Sequence, residues 1–418
     1  MLLTELYPRR RDRRRYSSLA ILGEILEGYA RWLFDQGYPR YRVHQHFRAV
    51  RRLDQLLSER GTHDSNDLSR DRLQACAPAS RLDDPELAMI VGFLDRYLEG
   101  EGIFPSAPPT RIEAKGAAYR LYLERVRGLA PSTGSEHTAT VAEFLEYLHY
   151  EEDPTCLTAL TRADLEAFVC KVARRRGRAS LQHTVAHLRA FLRFLAVQGE
   201  APTGLDTQID TPRVYRGEQL PRSLPWETVC ALLQSIDRST PKGRRDYAMF
   251  LLMATYGLRT CEVVALTLND IEWRAGRIHV SQGKTANCLV LPLTDEVGAS
   301  LLDYLQHGRP PLPLREVFLR CEAPPGVLRP SAVGGAFRRW TARSGLNIPF
   351  QGPHCLRHSY AVHLLREGTP LKVIGDILGH RSAESTCVYL RLSIDDLREV
   401  ALPLPHAPTG NVDREVVA

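Results

Sequence analysis

The chain has 418 residues, enough for two or three domains, and its 44% hydrophobic and 25% charged residues are the balance of a folded globular protein. Its nine cysteines never fall as C-x-x-C, which argues against a disulfide framework or a zinc knuckle and for a reducing cytosol. No apolar run reaches the ~18 residues of a membrane span, the basic N-terminus lacks the apolar core of a signal peptide, and the net charge of +6 hides arginine clusters at 9–15, 48–52 and 174–178 that favour a polyanionic partner over a membrane.

Helical periodicity dominates the first half. Leu19, Leu22, Leu26, Tyr29 and Leu33 predict one helix over 17–36. Phe47, Val50, Leu53 and Leu57 predict a second, with Gly61 placed to end it. Residues 81–102 predict another helix and the Pro-rich 103–110 a linker. Four more helical patterns fill 115–200; the last carries Val185, Leu188, Phe191, Leu192 and Leu195 as a core stripe, with Arg189 and Arg193 beside it. The match of HFRAV (46–50) to HLRAF (187–191) hints that the N-terminal module is a second small helical bundle.

The polar, Pro- and Gly-rich segment 199–225 has the composition of a domain linker. Beyond it follow a helical pattern at 226–236, a buried helix around 246–258 and strand-like alternation broken by turns over 271–294; helices resume from 295. The expected fold is mainly α with a small antiparallel β-sheet in the C-terminal domain. The expected division is an N-terminal helical module (1–110), a second helical domain (111–205), a linker (206–224), a mostly helical domain with the inserted sheet (225–405) and a flexible tail (406–418).

Polar residues interrupting these apolar patterns carry the chemistry. Arg259, between Leu258 and Cys261, is costly to bury unless Glu262 or a bound anion satisfies it. Lys284 falls at the tip of a predicted hairpin, with Gly283 available for the turn. Pro353 fits a helix start and puts His354 and Arg357 three residues apart on one face near a helix N-terminus, where an anion is favoured. His358 and His363 fall elsewhere on that helix and read as packing or surface residues. A short helix through Val373, Ile374, Ile377 and Leu378 stops at Gly379 and presents His380; Ser382 is placed to cap a following helix that carries Tyr389. Two guanidiniums suit bidentate hold of a phosphate, and a phenol beside several cations becomes a better nucleophile. The set also holds histidines and a lysine to move protons, without an acidic cluster for a metal or a Gly-rich phosphate loop. Metal-free, cofactor-free phosphoryl transfer onto a phenol is the chemistry it fits, and the phosphotyrosyl link would keep the ester's energy without ATP.

In this order, GLRTCEVVAL, GK, HCLRHSYAVHLL, ILGH and TCVYL resemble the tyrosine recombinases (phage integrase family), here of transposon or integron type with an extra N-terminal module. That family's pattern is G-L-R-x-x-E, a hairpin lysine, H-x-L-R-H-x-x-A, L-G-H and a tyrosine nine residues further on, and His380 to Tyr389 is nine. The likeness covers about 225–395, and residues 115–200 resemble the family's core-binding domain. The resemblance implies that Tyr389 attacks a DNA phosphodiester to form a 3′-phosphotyrosine, that Arg259 and Arg357 hold the phosphate, and that His380 hydrogen-bonds it. Lys284 would protonate the leaving 5′-oxygen and His354 would assist proton transfer. Thr285, Ala286, Asn287 and Cys288 follow the lysine where the family often has further basic residues.

It further implies a cytoplasmic site-specific recombinase that integrates, excises or transposes a mobile element, assembled as a tetramer on double-stranded DNA. Lys171, Arg174, Arg175, Arg176, Arg178, Arg189 and Arg193 would track the duplex. The N-terminal 110 residues would bind more DNA or contact partner recombinases, and 394–404, patterned as a short helix, would dock on a neighbouring subunit. A type IB topoisomerase-like relaxing enzyme and a catalytically inactive DNA-binding relative are the competing readings.

Overall fold

The computed structural model describes residues 2–78, 83–106, 108–215, 220–282, 287–380 and 382–392. The chain forms two compact units, one of Met1–Tyr97 with Gln219–Ala418 and the other of Leu98–Glu218. It is mainly helical with small antiparallel sheets near the C-terminal end, as expected from the sequence.

The first six helices are α1 (Leu2–Leu6), α2 (Arg10–Ser17), α3 (Leu26–Asp35), α4 (Arg40–Glu59), α5 (Arg70–Ala75) and α6 (Pro85–Gly100). Tyr29, Leu33, Phe47, Val50, Leu53 and Leu57 are fully buried, so the apolar faces of α3 and α4 supply a core. The single helix expected over 17–36 is a correction: a turn separates α2 from α3. Its physical cause lies on α4, where the Asp54 carboxylate accepts the backbone N–H of Ile21 at 3.1 Å and of Leu22 at 2.8 Å. A carboxylate that takes two backbone donors offers the chain an alternative to the helical ladder.

The second unit holds α7 (Arg111–Arg125), α8 (Pro131–Tyr147), α9 (Arg162–Ala173) and α10 (Arg178–Gln198). Thr110 and Glu113 form a capping box on α7, and Thr161 and Asp164 form one on α9. The expected stripe of Val185, Leu188, Phe191, Leu192 and Leu195 on α10 is buried with Tyr119, Phe144 and Phe168 in one core. Each fully buried large side chain contributes about 1.5–3 kcal/mol.

The remainder contains α11 (Trp226–Gln234), α12 (Pro241–Tyr256), α13 (Thr260–Ala265), β1 (Ile271–Glu272), β2 (Arg277–Gln282), β3 (Asn287–Pro292) and α14 (Asp295–His307). After these come β4 (Leu319–Arg320), β5 (Gly326–Val327), α15 (Pro330–Ser344), α16 (His354–Arg366), α17 (Leu371–Leu378), α18 (Ala383–Cys387) and a 3-10 turn, Val388–Leu392. Helix α12 is buried continuously from Ala248 to Ala254, as its unbroken apolar run requires, and packs on α11, α14 and α16. Its Asp246 is fully buried and accepts from Arg245, Arg339 and the Trp340 indole, which ties α12 to α15. Strands β1, β2 and β3 form an antiparallel sheet in which Ile278 faces Leu291 and Val280 faces Leu289 across the β2–β3 ladder.

Helix α16 is anchored from the segment before α11. The Ser359 hydroxyl is buried, donates to the Cys355 carbonyl and accepts the Leu224 N–H at 2.7 Å. One turn further, Trp226 stacks on His363 with ring centroids 4.2 Å apart and planes 1° from parallel. These contacts hold the helix that carries three of the residues of the site below.

Candidate active site

Five of the six expected catalytic residues lie at the ends of short helices in the C-terminal part of the chain. Arg259 follows the end of α12, His354 opens α16 and Arg357 lies one turn in, His380 follows α17, and Tyr389 sits in the 3-10 turn after α18. The sixth, Lys284, lies outside the described residues, as does 394–404. The strands on either side of the lysine are in register as far as Gln282 opposite Asn287. The end of β2 lies against Gly379, whose Cβ, if it had one, would fall 2.1 Å from the Gln282 side chain.

Arg259 is fixed by Glu262. The carboxylate accepts the Arg259 backbone N–H at 2.8 Å and its Nη1 at 2.6 Å; the glutamate side chain is 3% exposed and the arginine side chain 20%. Of the two partners open to this arginine from sequence, the glutamate is therefore in place, and it holds the guanidinium with one edge still facing outward.

Arg357 is almost fully buried. Its Nη1 donates to the Gly257 carbonyl and its Nη2 to the Leu378 carbonyl, both at 2.6 Å. Those carbonyls terminate α12 and α17, whose C-terminal ends carry partial negative charge that a cation satisfies. Gly257 (φ +64°) and Gly379 (φ +61°) are left-handed at those two helix ends, the conformation glycine adopts without strain. Of the five N–H donors of a guanidinium, two are used here and three remain. Burial, with the nearby charge of Arg259, pulls the Arg357 pKa down to about 10, so it stays cationic at neutral pH. Two guanidiniums that disfavour each other's charge form a place where an anion is welcome.

The histidines and the phenol close the cluster. His380 donates its backbone N–H to the Gly375 carbonyl at 2.9 Å and shares a hydrogen bond with Thr386 through Nδ1 at 2.8 Å. Burial first, then Arg357, Arg259 and His354, lower its pKa to about 4, which leaves it neutral near pH 7. The Tyr389 ring lies 6.3 Å from the His380 ring and within 17° of parallel. Tyr389 is 2% exposed; burial pushes its phenol up from the usual value, and Arg357 and then Arg259 pull it partly back.

Two expectations are corrected here. Helix α18 ends at Cys387, so Tyr389 rides on the 3-10 turn and not on the helix Ser382 was expected to cap; the Ser382 hydroxyl meets that of Ser385 instead. His358, read from sequence as packing or surface, makes a polar contact with the tyrosine: its Nδ1 is 3.1 Å from the Tyr389 oxygen. The signal was present, because His354 and His358 are four residues apart on α16 and share a face, with ring centroids 4.6 Å apart. His363, stacked on Trp226, is a packing residue as expected.

The basic residues expected to track a duplex lie in the Leu98–Glu218 unit, and most have partners of their own. Arg175 and Arg176 both pair with Glu143, and Arg176 also donates to Thr184 at 2.9 Å. Lys171 lies 4.8 Å over the Tyr147 ring, Arg189 donates to the Ile209 carbonyl, and Arg193 is 3.8 Å from Asp206. Arg174 and Arg178 are exposed at the α9–α10 junction. Among the described residues, no helix is long and apolar enough to cross a membrane, and no group of three His, Cys, Asp or Glu could hold a metal ion.

Comparison with known proteins bears on the same segments. The profile of the phage integrase family matches residues 222–395, and that of the phage integrase N-terminal SAM-like domain matches 117–199. The chain is 34% identical over 383 residues to "Putative integrase/recombinase y4rA" of Sinorhizobium fredii, covering 90% of this chain and 93% of that one. It is 31% identical over 279 residues to tyrosine recombinase XerD of Listeria monocytogenes, covering 66% of this chain and 92% of XerD. Among solved structures, the XerH site-specific recombinase bound to palindromic difH substrate in a post-cleavage complex superposes with a TM-score of 0.51 at 17% identity, over 79% of this chain and 92% of that one. A lambda integrase (75–356) dimer bound to a COC′ core site gives 0.50 at 20% identity, over 66% and 94%. The two structures share the fold, and the curated relatives carry the assignment: the chain belongs to the phage integrase family of tyrosine recombinases, site-specific enzymes that cut and rejoin DNA.

Proposed function

We propose that this recombinase integrates, excises or transposes a mobile element, and that it does so through a 3′-phosphotyrosine on Tyr389. The observation that carries the second part is the convergence of Arg259, Arg357, His354, His380 and Tyr389, brought from four segments of the chain into mutual electrostatic reach. In this reading the N–H donors that Arg259 and Arg357 have left over bind the non-bridging oxygens of the scissile phosphate and stabilise the charge that builds on them. His380, neutral and oriented by Thr386, has its second ring nitrogen available for a phosphate oxygen. His354 assists proton transfer, and Lys284 protonates the departing 5′-oxygen. The ester's energy is retained in the phosphotyrosyl bond, so rejoining needs no ATP.

Tyr389 is too buried for a duplex phosphate to reach its oxygen as it stands. Attack therefore requires the 3-10 turn to shift, with DNA supplying the anion that rewards the move. The mobile-element role is supported by the relation to y4rA along nine-tenths of the chain, whereas the XerD match leaves a third of it uncovered. We assign 1–110 to contacts with further DNA or partner recombinases, 111–205 to duplex binding, 206–224 to a linker, 225–405 to catalysis and 406–418 to a tail, in a cytoplasmic enzyme that works as a tetramer on double-stranded DNA. The test is covalent capture on a nicked duplex carrying the enzyme's recombination site. Wild-type protein should form an adduct that survives denaturing electrophoresis, and Tyr389→Phe should bind the duplex without forming one. An adduct on Tyr389→Phe would remove the tyrosine from its role.

A further inference from the structure

We propose that His358 is a further catalytic residue, whose Nδ1 takes the proton of the Tyr389 hydroxyl as that oxygen bonds to phosphorus. The inference rests on Tyr389 being the nucleophile. It adds to the two arginines, the lysine, His354 and His380 a group that acts on the attacking atom itself.

The geometry supplies the contact. Nδ1 of His358 lies 3.1 Å from the phenolic oxygen in the resting position of the 3-10 turn, within hydrogen-bond reach of the proton to be moved. In the proposed step, the shift that brings the phenol to the phosphate keeps this contact. The ring is held by its place on α16, one residue after the buried Arg357 and one before the buried Ser359, so it does not need to be ordered during the reaction. Protonation states make the imidazole a neutral base facing an undissociated phenol. The groups around the imidazole are His354, Arg357, His380 and Arg222 with the Tyr389 phenol; burial and then those cationic or cationisable neighbours lower its pKa to about 4. A neutral imidazole with its hydrogen on Nε2 accepts the phenolic O–H through Nδ1, and this is the tautomer the proposal requires.

The step balances. A lone pair of the Tyr389 oxygen forms the new P–O bond, the O–H bond breaks with its electrons staying on that oxygen, and the proton passes to Nδ1. The bond from phosphorus to the 5′-oxygen breaks onto that oxygen, which takes a proton from the general acid, the role given to Lys284. In rejoining, the imidazolium returns its proton to the departing phenol oxygen while the lysine recovers one from the attacking 5′-hydroxyl. A weak base suffices because the acidity of the phenolic proton is not constant. As the P–O bond forms, that proton becomes far more acidic than in free phenol, and it crosses the acidity of the imidazolium partway through the reaction. The approach of an anionic phosphate also raises the basicity of a histidine surrounded by cations.

The test uses the full-length protein in single-turnover cleavage of nicked duplexes carrying a recombination site, selected from a random library by covalent capture on wild-type protein. One duplex has the natural 5′-oxygen at the scissile position; the other has a bridging 5′-sulfur, whose departure needs no proton. His358→Asn keeps a hydrogen-bond acceptor toward the phenol but no useful base. Its cleavage rate should fall about 10²-fold on both duplexes, and should then climb with pH as solvent takes over deprotonation, where wild type stays level. A variant that merely lost its general acid would recover on the sulfur duplex. A rate within a few-fold of wild type with an unchanged pH profile would overturn the proposal, while loss of the adduct in Tyr389→Phe would leave the tyrosine assignment standing. An adduct on Tyr389→Phe would instead mean that the underlying assignment had failed. Should His358→Asn not bind the duplex, wild-type cleavage of the sulfur duplex in heavy water decides: slowing is expected if the phenolic proton is in flight, and an unchanged rate would overturn the proposal.

Discussion

Replacing Arg357 with lysine separates charge from geometry at the centre of the site. The guanidinium bridges the Gly257 and Leu378 carbonyls at 2.6 Å each, joining the ends of α12 and α17, and the residue is 2% exposed. A lysine keeps the positive charge, yet a single ammonium on an unforked stem does not reproduce the two-pronged contact. One charged hydrogen bond lost, and one buried carbonyl left without a donor, together cost about 2–4 kcal/mol. Against the roughly 5–15 kcal/mol that holds a domain folded, Arg357→Lys should remain folded with a clearly lowered urea midpoint and an unchanged slope. All four tryptophans, Trp32, Trp226, Trp273 and Trp340, belong to the unit that contains Arg357, so their fluorescence follows the relevant transition. The same variant should form the covalent adduct about 10²–10³-fold more slowly, the loss expected when a preorganised donor to a developing oxyanion is displaced. A stability within about 0.5 kcal/mol of wild type, the scatter of neutral surface changes, would refute the bridging role. Undiminished adduct formation would refute the phosphate-binding one.

Gly379→Ala should lower stability by at least about 1 kcal/mol, since φ is +61° and the new Cβ would meet Gln282; adduct formation should slow with it because His380 is the next residue. Urea midpoints and covalent capture measure the two effects. Arg174→Ala, at an exposed position, should weaken duplex binding and reduce its salt dependence by about one counterion without loss of stability, whereas Arg176→Ala, which unties Glu143 and Thr184, should lower the stability of its unit. Binding titrations across a salt series, with melting curves, separate these outcomes. Stability should also decline in mild acid: His46, His187, His358 and His380 have pKa values lowered from 6.5 to about 4, chiefly by burial. The unfolded chain takes up protons near 6.5 that the folded chain refuses until about 4, so stability present above that window is lost as pH falls through it. Urea midpoints that hold steady or rise across the window would contradict the burial of these rings.

What the sequence made legible depends on how local the governing forces are. Helix α12 was plain because a run from Ala248 to Ala254 that is apolar all round has nowhere to go but the interior. The start of α16 and the stops at Gly257 and Gly379 were plain because proline and left-handed glycine mark helix ends locally. The break before α3 was not, since its cause is Asp54, more than thirty residues away along the chain. Ser382 suggested a helix running through Tyr389, but that helix ends at Cys387 and its serine bonds to a neighbouring hydroxyl. The arginines, histidines and tyrosine of the site could be listed from their order and spacing. That Arg357 spends two donors on helix ends, and that Thr386 orients His380, are tertiary facts without a sequence pattern. His358 is an intermediate case, because its spacing from His354 put it on the right face, and only the packing of the 3-10 turn showed which atom it meets.

The central claim is that the Tyr389 oxygen becomes bonded to a DNA phosphorus. The most direct measurement is to digest the trapped adduct with nuclease and protease and to locate the residual nucleotide by mass spectrometry. The account predicts a 3′-phosphonucleotide on the tyrosine of the peptide containing Cys387, Val388 and Tyr389. A nucleotide on any other residue, or one joined through its 5′-phosphate, would contradict it.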